Sequence, residues 1–168
     1  MTHMQDHFLI WLRDAHAMEN QAIAMIRAQI KRIENYPDFR ARLERHLAET
    51  EDQAARLKAL LDRYPGGAST VKDLAARIAA TTQGVGGLLA GDEIIKAAKA
   101  TYAFEHAEIA HYRVLAAAAD ELGDTEAKTV FEEIMEQERA MADWLDHHLD
   151  ILTRIYLMRD ERDLQAKR

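Results

Sequence analysis

The sequence predicts an all-α protein, four long helices packed as one bundle, on three observations. Ala, Leu, Glu, Arg, Ile and Met dominate the 168 residues, which is the usage of straight helices, while the two prolines and seven glycines are few and clustered. Apolar residues recur at the three-and-four spacing of one helical face through four stretches, each bounded by a breaker. A chain of this length can bury most of its apolar surface around one core without staples, so a single domain over 1–168 is expected.

The first helix is predicted over about 7–34, with Leu9, Leu12, Ile23, Ile26, Ile30 and Ile33 on one face, until Asn35-Tyr36-Pro37-Asp38 breaks it. The second covers about 38–63, with Phe39, Leu43, Leu57, Leu60 and Leu61 inward, and stops at Tyr64-Pro65-Gly66-Gly67. Residues 65–91 differ: a short amphipathic helix over about 69–80 precedes the glycine-rich Thr81–Gly87 stretch. The third long helix covers about 92–122 and ends at Gly123. Asp124 or Thr125 caps the fourth, which persists to about 159 before a charged tail. Two antiparallel hairpins joined by a connector long enough to recross the bundle is the ferritin-like arrangement, distinct from a bundle with three tight loops.

Composition excludes several functions. With a net charge of -7, and 22 basic residues interspersed with 29 acidic ones, the chain lacks the concentrated Lys and Arg of a nucleic-acid partner. No apolar run approaches the roughly 20 residues that a bilayer needs, and the N-terminus lacks a basic stretch and cleavage site, so a cytoplasmic protein with no membrane partner is expected. Zero cysteines leave oxygen and imidazole as the metal ligands on offer.

Each long helix interrupts its apolar seam with a glutamate. The first seam reads Leu9, Leu12, His16, Glu19, Ile23, Ile26, Ile30, and the second reads Phe39, Leu43, His46, Glu49 or Thr50, Gln53, Leu57, Leu60. On the third, Ile94, Ala98, Tyr102, Glu105, Ile109, Tyr112 and Ala116 share a face; on the fourth, Val130, Ile134, Glu138, Leu145, Leu149, Leu152 and Tyr156 do. Counted from the tight turns, Glu19 and Glu49, like Glu105 and Glu138, fall at matching heights within roughly a turn. Four carboxylates at one level in an apolar seam demand compensating positive charge, and no Lys or Arg occupies those positions. Two metal ions bridged by the carboxylates would supply it, and oxygen ligands with one or two imidazoles suit iron or manganese.

Several segments carry a family resemblance: Arg13-Asp14-Ala15-His16-Ala17-Met18-Glu19-Asn20-Gln21, His46-Leu47-Ala48-Glu49-Thr50 with Gln53 and Arg56-Leu57, Glu105-His106-Ala107-Glu108-Ile109 with Tyr112, and Glu138-Arg139. Together they resemble the bacterial YciE/YciF-type ferritin-like family over nearly the whole chain. The resemblance implies a ferritin-like bundle linked to stress responses, with a two-metal centre and no assigned reaction. The pattern departs from typical ferritins and rubrerythrins, whose second and fourth bundle helices carry Glu-x-x-His: here Glu49 is followed by Asp52 and Gln53, and Glu138 by Met141 and Ala142. On the second helix an imidazole instead precedes the carboxylate, as His46-x-x-Glu49, which makes His46 a candidate ligand or ligand partner. Glu105-x-x-Glu108 resembles the paired helix glutamates of rubrerythrins and adds Glu108 as a fifth carboxylate.

Other residues are supporting candidates. His16, one turn from Glu19, is read equally as a ligand, a ligand's hydrogen-bond partner or a satisfied core histidine, and Gln53 as a ligand partner. Tyr102 and Tyr112 flank Glu105 and could bond a ligand or carry a radical, with core packing as the default for both. His111, His147 and His148 project off the seams as surface histidines. A second row on the first helix, Trp11, Ala15, Met18, Ala22 and Met25, implies burial on another side, under the crossover or in a homodimer. The function expected is a di-iron or di-manganese carboxylate protein reacting with peroxide or dioxygen. The alternative is a non-catalytic helical stress protein whose metal is structural or absent.

Overall fold

The computed structural model describes residues 2–65 and 91–167. It contains helices α1 (His3–Arg32), α2 (Pro37–Asp62), α3 (Glu93–Glu121) and α4 (Thr125–Glu161), with no strand among the described residues. Local chemistry explains the helix ends. Thr2 Oγ1 accepts the Gln5 amide at 3.3 Å while Gln5 Oε1 accepts the Thr2 amide at 3.1 Å, a reciprocal cap that starts α1 ahead of its first apolar turn. Pro37 opens α2, where its missing N–H costs nothing. Asp124, rather than Thr125, caps α4 by accepting the Ala127 amide at 3.1 Å, and Gly123 closes the turn before it at φ 71°.

Side-chain partners fix the direction of each helix. Arg27 reaches Glu51 at 2.6 Å, so α1 and α2 are antiparallel neighbours, and Gln29 with Thr101 and Arg32 with Glu93 set α3 antiparallel to α1. Gln53 with Glu138 and Arg63 with Asp124 do the same for α2 and α4. Tyr64, just past α2, therefore lies beside Phe8 and Asp124 at one end of the bundle, whereas Glu93, opening α3, lies beside Arg32 at the other. The chain leaves α2 and enters α3 at opposite ends of a bundle whose 30-residue α1 is about 45 Å long, which is the ferritin-like topology. The short helix expected over 69–80 lies outside the described residues.

Two apolar clusters fill the bundle. One, toward the α3–α4 turn, contains Phe8, Leu12, Leu57, Leu115, Phe131 and Ile134. The other, toward the α1–α2 turn, contains Ile26, Phe39, Leu43, Ile94, Met141 and Leu145. The α1 seam is rotated from the expected one: Phe8, Leu12, Ala15, Glu19, Ala22, Ile26 and Gln29 are buried, whereas His16, Ile23 and Ile30 are half-buried. Because α1 packs against both α2 and α3, its buried surface is wider than one seam, and Ala15 and Ala22 of the supposed second row are core residues. Trp11, from the same row, stays 36% exposed.

The charged tail is a clasp. Beyond Glu161, Ile94 donates its amide to the Lys167 carbonyl at 3.0 Å, the Tyr36 hydroxyl donates to the buried Ala166 carbonyl, and Gln165 donates to Glu34 at 2.9 Å. No helix among the described residues is long and apolar enough to cross a membrane.

Candidate metal centre

A polar layer separates the two apolar clusters. Glu19 from α1, His46, Thr50 and Gln53 from α2, Glu105 and Glu108 from α3, and Glu138 from α4 are all buried there. The spacing explains the delivery: His46, Thr50 and Gln53 are four and then three positions apart, and Glu105 and Glu108 three, so each set shares a helical face.

His46 organises one side of the layer. Its Nε2 lies 3.2 Å from Glu105 Oε2 and 3.5 Å from Glu138 Oε2, and one ligand-type atom from each of the three residues lies within 4.8 Å of the others. Its Nδ1 is 3.0 Å from Glu49 Oε2, which also accepts from Arg42 Nη1 at 3.3 Å. Thr50 Oγ1 donates to the His46 carbonyl at 2.8 Å. Gln53 Nε2 donates to Glu138 Oε1 and, at 2.8 Å, to Gln137 Oε1. The Tyr112 hydroxyl donates to Glu19 Oε1.

Of the buried carboxylate oxygens, Glu19 Oε2 and Glu108 Oε1 have no hydrogen-bond partner, and Glu105 Oε2 and Glu138 Oε2 have only His46 Nε2 as a nearby donor, at 3.2 and 3.5 Å. Native interiors leave few such atoms, so the layer needs compensating positive charge, from protons or from a cation. Burial pushes Glu19 up from an ordinary 4.5 to about 7, against the Tyr112 hydrogen bond and the His46 charge, which pull it down. Burial and the neighbouring carboxylates push Glu108 and Glu138 well above the usual range. Burial pulls His46 down, but its contacts with Glu105 and Glu49 outweigh this and raise it to about 10. Arg42 is the only Lys or Arg buried among the described residues, and it pairs with Glu49 at the layer's edge. Carboxylate oxygens with one imidazole form a donor set that fits hard or borderline metal ions such as iron and manganese.

The structure thus brings Glu19, Glu105, Glu108, Glu138 and His46 together, with Tyr112 and Gln53 bonded to two of the carboxylates. Glu49 stands apart at the edge with its side chain 27% exposed, and the inward position that the sequence left between Glu49 and Thr50 belongs to Thr50. Tyr102 lies outside the layer, donating to Asp146 at 3.2 Å. The His16 Nε2 is 3.3 Å from Asn20 Nδ2, and burial first, then Lys58, lowers its affinity for a proton. His111 contacts the Trp11 carbonyl at 2.9 Å, while His147 and His148 face the Asp143 and Trp144 carbonyls of their own helix. Sequence reasoning missed Arg42 and the buried Gln29–Thr101 pair at 3.1 Å, although Arg42 shares the face of His46 and Thr101 precedes Glu105 by one turn.

Solved structures of similar proteins share this fold. A protein from Xanthomonas campestris pv. campestris is 34% identical, with 94% of this chain and 99% of that one covered and a TM-score of 0.76. YcfI from Rhodopseudomonas palustris is 27% identical, covering 87% and 94%, with a TM-score of 0.68. The Escherichia coli stress protein YciF, at 23% identity, 89% and 96% coverage and a TM-score of 0.70, is a likeness of fold. Residues 3–158 match the family described as Domain of unknown function (DUF892), and with nearly the whole chain inside that match the protein belongs to this family.

Proposed function

We propose that the buried layer holds two metal ions, iron or else manganese, and that the protein reacts with peroxide or dioxygen in stress defence. The observation that carries this reading is the crowding of four buried glutamates around a single imidazole, with no Lys or Arg in the layer among the described residues. Glu19, Glu105, Glu108, Glu138 and His46 are the residues that would hold the ions. Such ions supply Lewis acidity and one-electron chemistry when bound.

The chain's own groups do the rest. Glu49, itself held by Arg42, takes the Nδ1 side of His46 and so turns Nε2 toward Glu105 and Glu138. Tyr112 and Gln53 each occupy one oxygen of Glu19 and Glu138, leaving the second oxygen to face the layer. Burial and the neighbouring carboxylates hold a proton on Glu108 in the metal-free layer, so an ion bound there would displace it and uptake would release protons. The apolar clusters on both sides limit water. The description of YciF as a stress protein accords with this setting. A homodimer belongs to the same proposal, supported by exposed Met4 and Trp11 on α1.

One observation favours a non-catalytic bundle: a charged His46 and protonated carboxylates neutralise much of the layer without metal. Anaerobic loading with ferrous or manganous ion, metal analysis and a peroxide-consumption assay separate the two. About two ions per chain with peroxide consumed supports the proposal. Bound metal without turnover supports the structural role, and a chain that takes up no metal overturns the metal centre.

A further inference from the structure

Four aromatic rings lead from the carboxylate layer to the surface. Tyr112, bonded to Glu19, lies 6.3 Å from Phe131 between ring centroids in a stacked arrangement. Phe131 meets Phe8 edge-on at 6.1 Å, and Phe8 meets Tyr64 at 5.7 Å. The first three rings are fully buried, whereas Tyr64 is half-buried beside the exposed Arg63. Its hydroxyl donates to Asp124 Oδ2 at 2.8 Å. A phenol at each end is thus hydrogen-bonded to a carboxylate, and between them lie only close-packed π-systems. That is the arrangement that lets a phenol lose an electron while its proton moves a hydrogen-bond length to a ready acceptor.

We propose that Tyr112, Phe131, Phe8 and Tyr64 form an electron relay between the carboxylate layer and the half-buried Tyr64 phenol bonded to Asp124. The proposal rests on reading the layer as a peroxide-reactive metal centre. Peroxide needs two electrons to become two waters, so the ions, when bound, would take up one electron at a time and deliver the pair. In each passage Tyr112 supplies one electron, its phenolic proton moving to Glu19. The neutral Tyr112 phenoxyl then takes an electron from Tyr64 and recovers the proton from Glu19, while Tyr64 releases its own proton to Asp124. A reduced flavin, as one-electron reductant, restores the electron at Tyr64, and Asp124 returns the proton. Two passages, with two protons from solvent, reduce one hydrogen peroxide to two waters. The Phe131 and Phe8 rings bridge the two phenols and are not themselves oxidised. His111, edge-on to Tyr112 at 6.3 Å, offers a competing exit, but its next contact is the Trp11 backbone carbonyl rather than the indole ring.

Electron exchange between two phenols runs in either direction, so metal-free full-length protein tests the relay from its outer end. Flash-quench oxidation by a ruthenium tris-bipyridine complex, rapid freezing and electron paramagnetic resonance should detect a tyrosyl radical shielded from added ascorbate. Tyr112→Phe abolishes it, Tyr64→Phe and Phe8→Leu lower its yield severalfold, and Trp11→Phe leaves it unchanged. Tyr64→Phe keeps the ring and removes one hydroxyl, so it carries the test even if Phe8→Leu fails to fold. A shielded radical whose yield ignores Tyr64→Phe, one that falls with Trp11→Phe instead, or no shielded radical at all overturns the relay. Metal analysis of the same protein tests the reading of the layer separately: uptake of metal without a relay-dependent radical defeats only the relay.

Discussion

Within the layer, Glu105 is the carboxylate that His46 approaches most closely, with Oε2 3.2 Å from Nε2. Glu105→Ala should abolish binding of at least one ion by metal analysis, and full occupancy in the variant would remove Glu105 from the ligand set. Protons compete with metal at the same oxygens, which gives a pH signature. Glu19 holds its proton up to about 7 in the fold but only to 4.5 when unfolded. Because burial penalises its charged form, metal-free stability is highest below 4.5, where Glu19 is neutral in both states, and falls as pH rises through about 7. His46, raised from 6.5 to about 10, acts in the same direction, its contribution complete below 6.5 and lost through about 10. Urea unfolding of metal-free protein should show stability declining from pH 5 to 8, while metal affinity rises over that interval; a metal-free stability that climbs would refute the charge account. These residues were legible to different degrees. Glu19, Glu105 and Glu138 stand alone as charged interruptions of apolar stripes, which periodicity detects. Glu49 and Thr50 are neighbours on the helix, and phase alone does not decide which faces in; Arg42, which holds Glu49 at the edge, decides it.

Elements were easiest to read where sequence chemistry stops a helix. Pro37 and Gly123 mark α2 and the α3–α4 turn as the sequence predicts. Gly123 sits at φ 71°, and a Cβ there meets nothing within 4 Å, so backbone strain alone should make Gly123→Ala destabilising by about 1–2 kcal/mol in urea unfolding. An unchanged midpoint would show that the turn relaxes freely. The C-terminal clasp was not legible, because two of the three bonds described for it run to the backbone carbonyls of Ala166 and Lys167, which carry no residue signature. Tyr36→Phe removes only the hydroxyl that holds Ala166, and should cost about 1 kcal/mol while speeding hydrogen exchange at the Ile94 amide, which donates to Lys167. Exchange at Ile94 equal to the parent's would mean that the tail holds without Tyr36.

At the scale of the whole molecule, two apolar clusters carry the fold and the polar layer between them opposes it. The hairpin–crossover–hairpin topology was legible because a connector of 65–91 is too long for a tight turn, and the helix ends place its two termini at opposite ends of the bundle. The rotation of α1 was legible only in part: the second row on the first helix signalled a wider buried face, but assigned it to the crossover or a homodimer, whereas α1 packs against both α2 and α3. A layer that opposes folding when metal-free should favour it when filled, because a ligand that binds only the folded state stabilises it by mass action. The melting temperature should thus rise on adding ferrous or manganous ion, and a variant with Glu105→Ala should lose most of that rise. The most direct measurement is anomalous diffraction at the iron edge from crystals of iron-loaded protein. The account predicts two peaks inside the layer, within bonding distance of Glu19, Glu105, Glu108, Glu138 and His46; an empty layer, or iron found only at surface carboxylates, contradicts it.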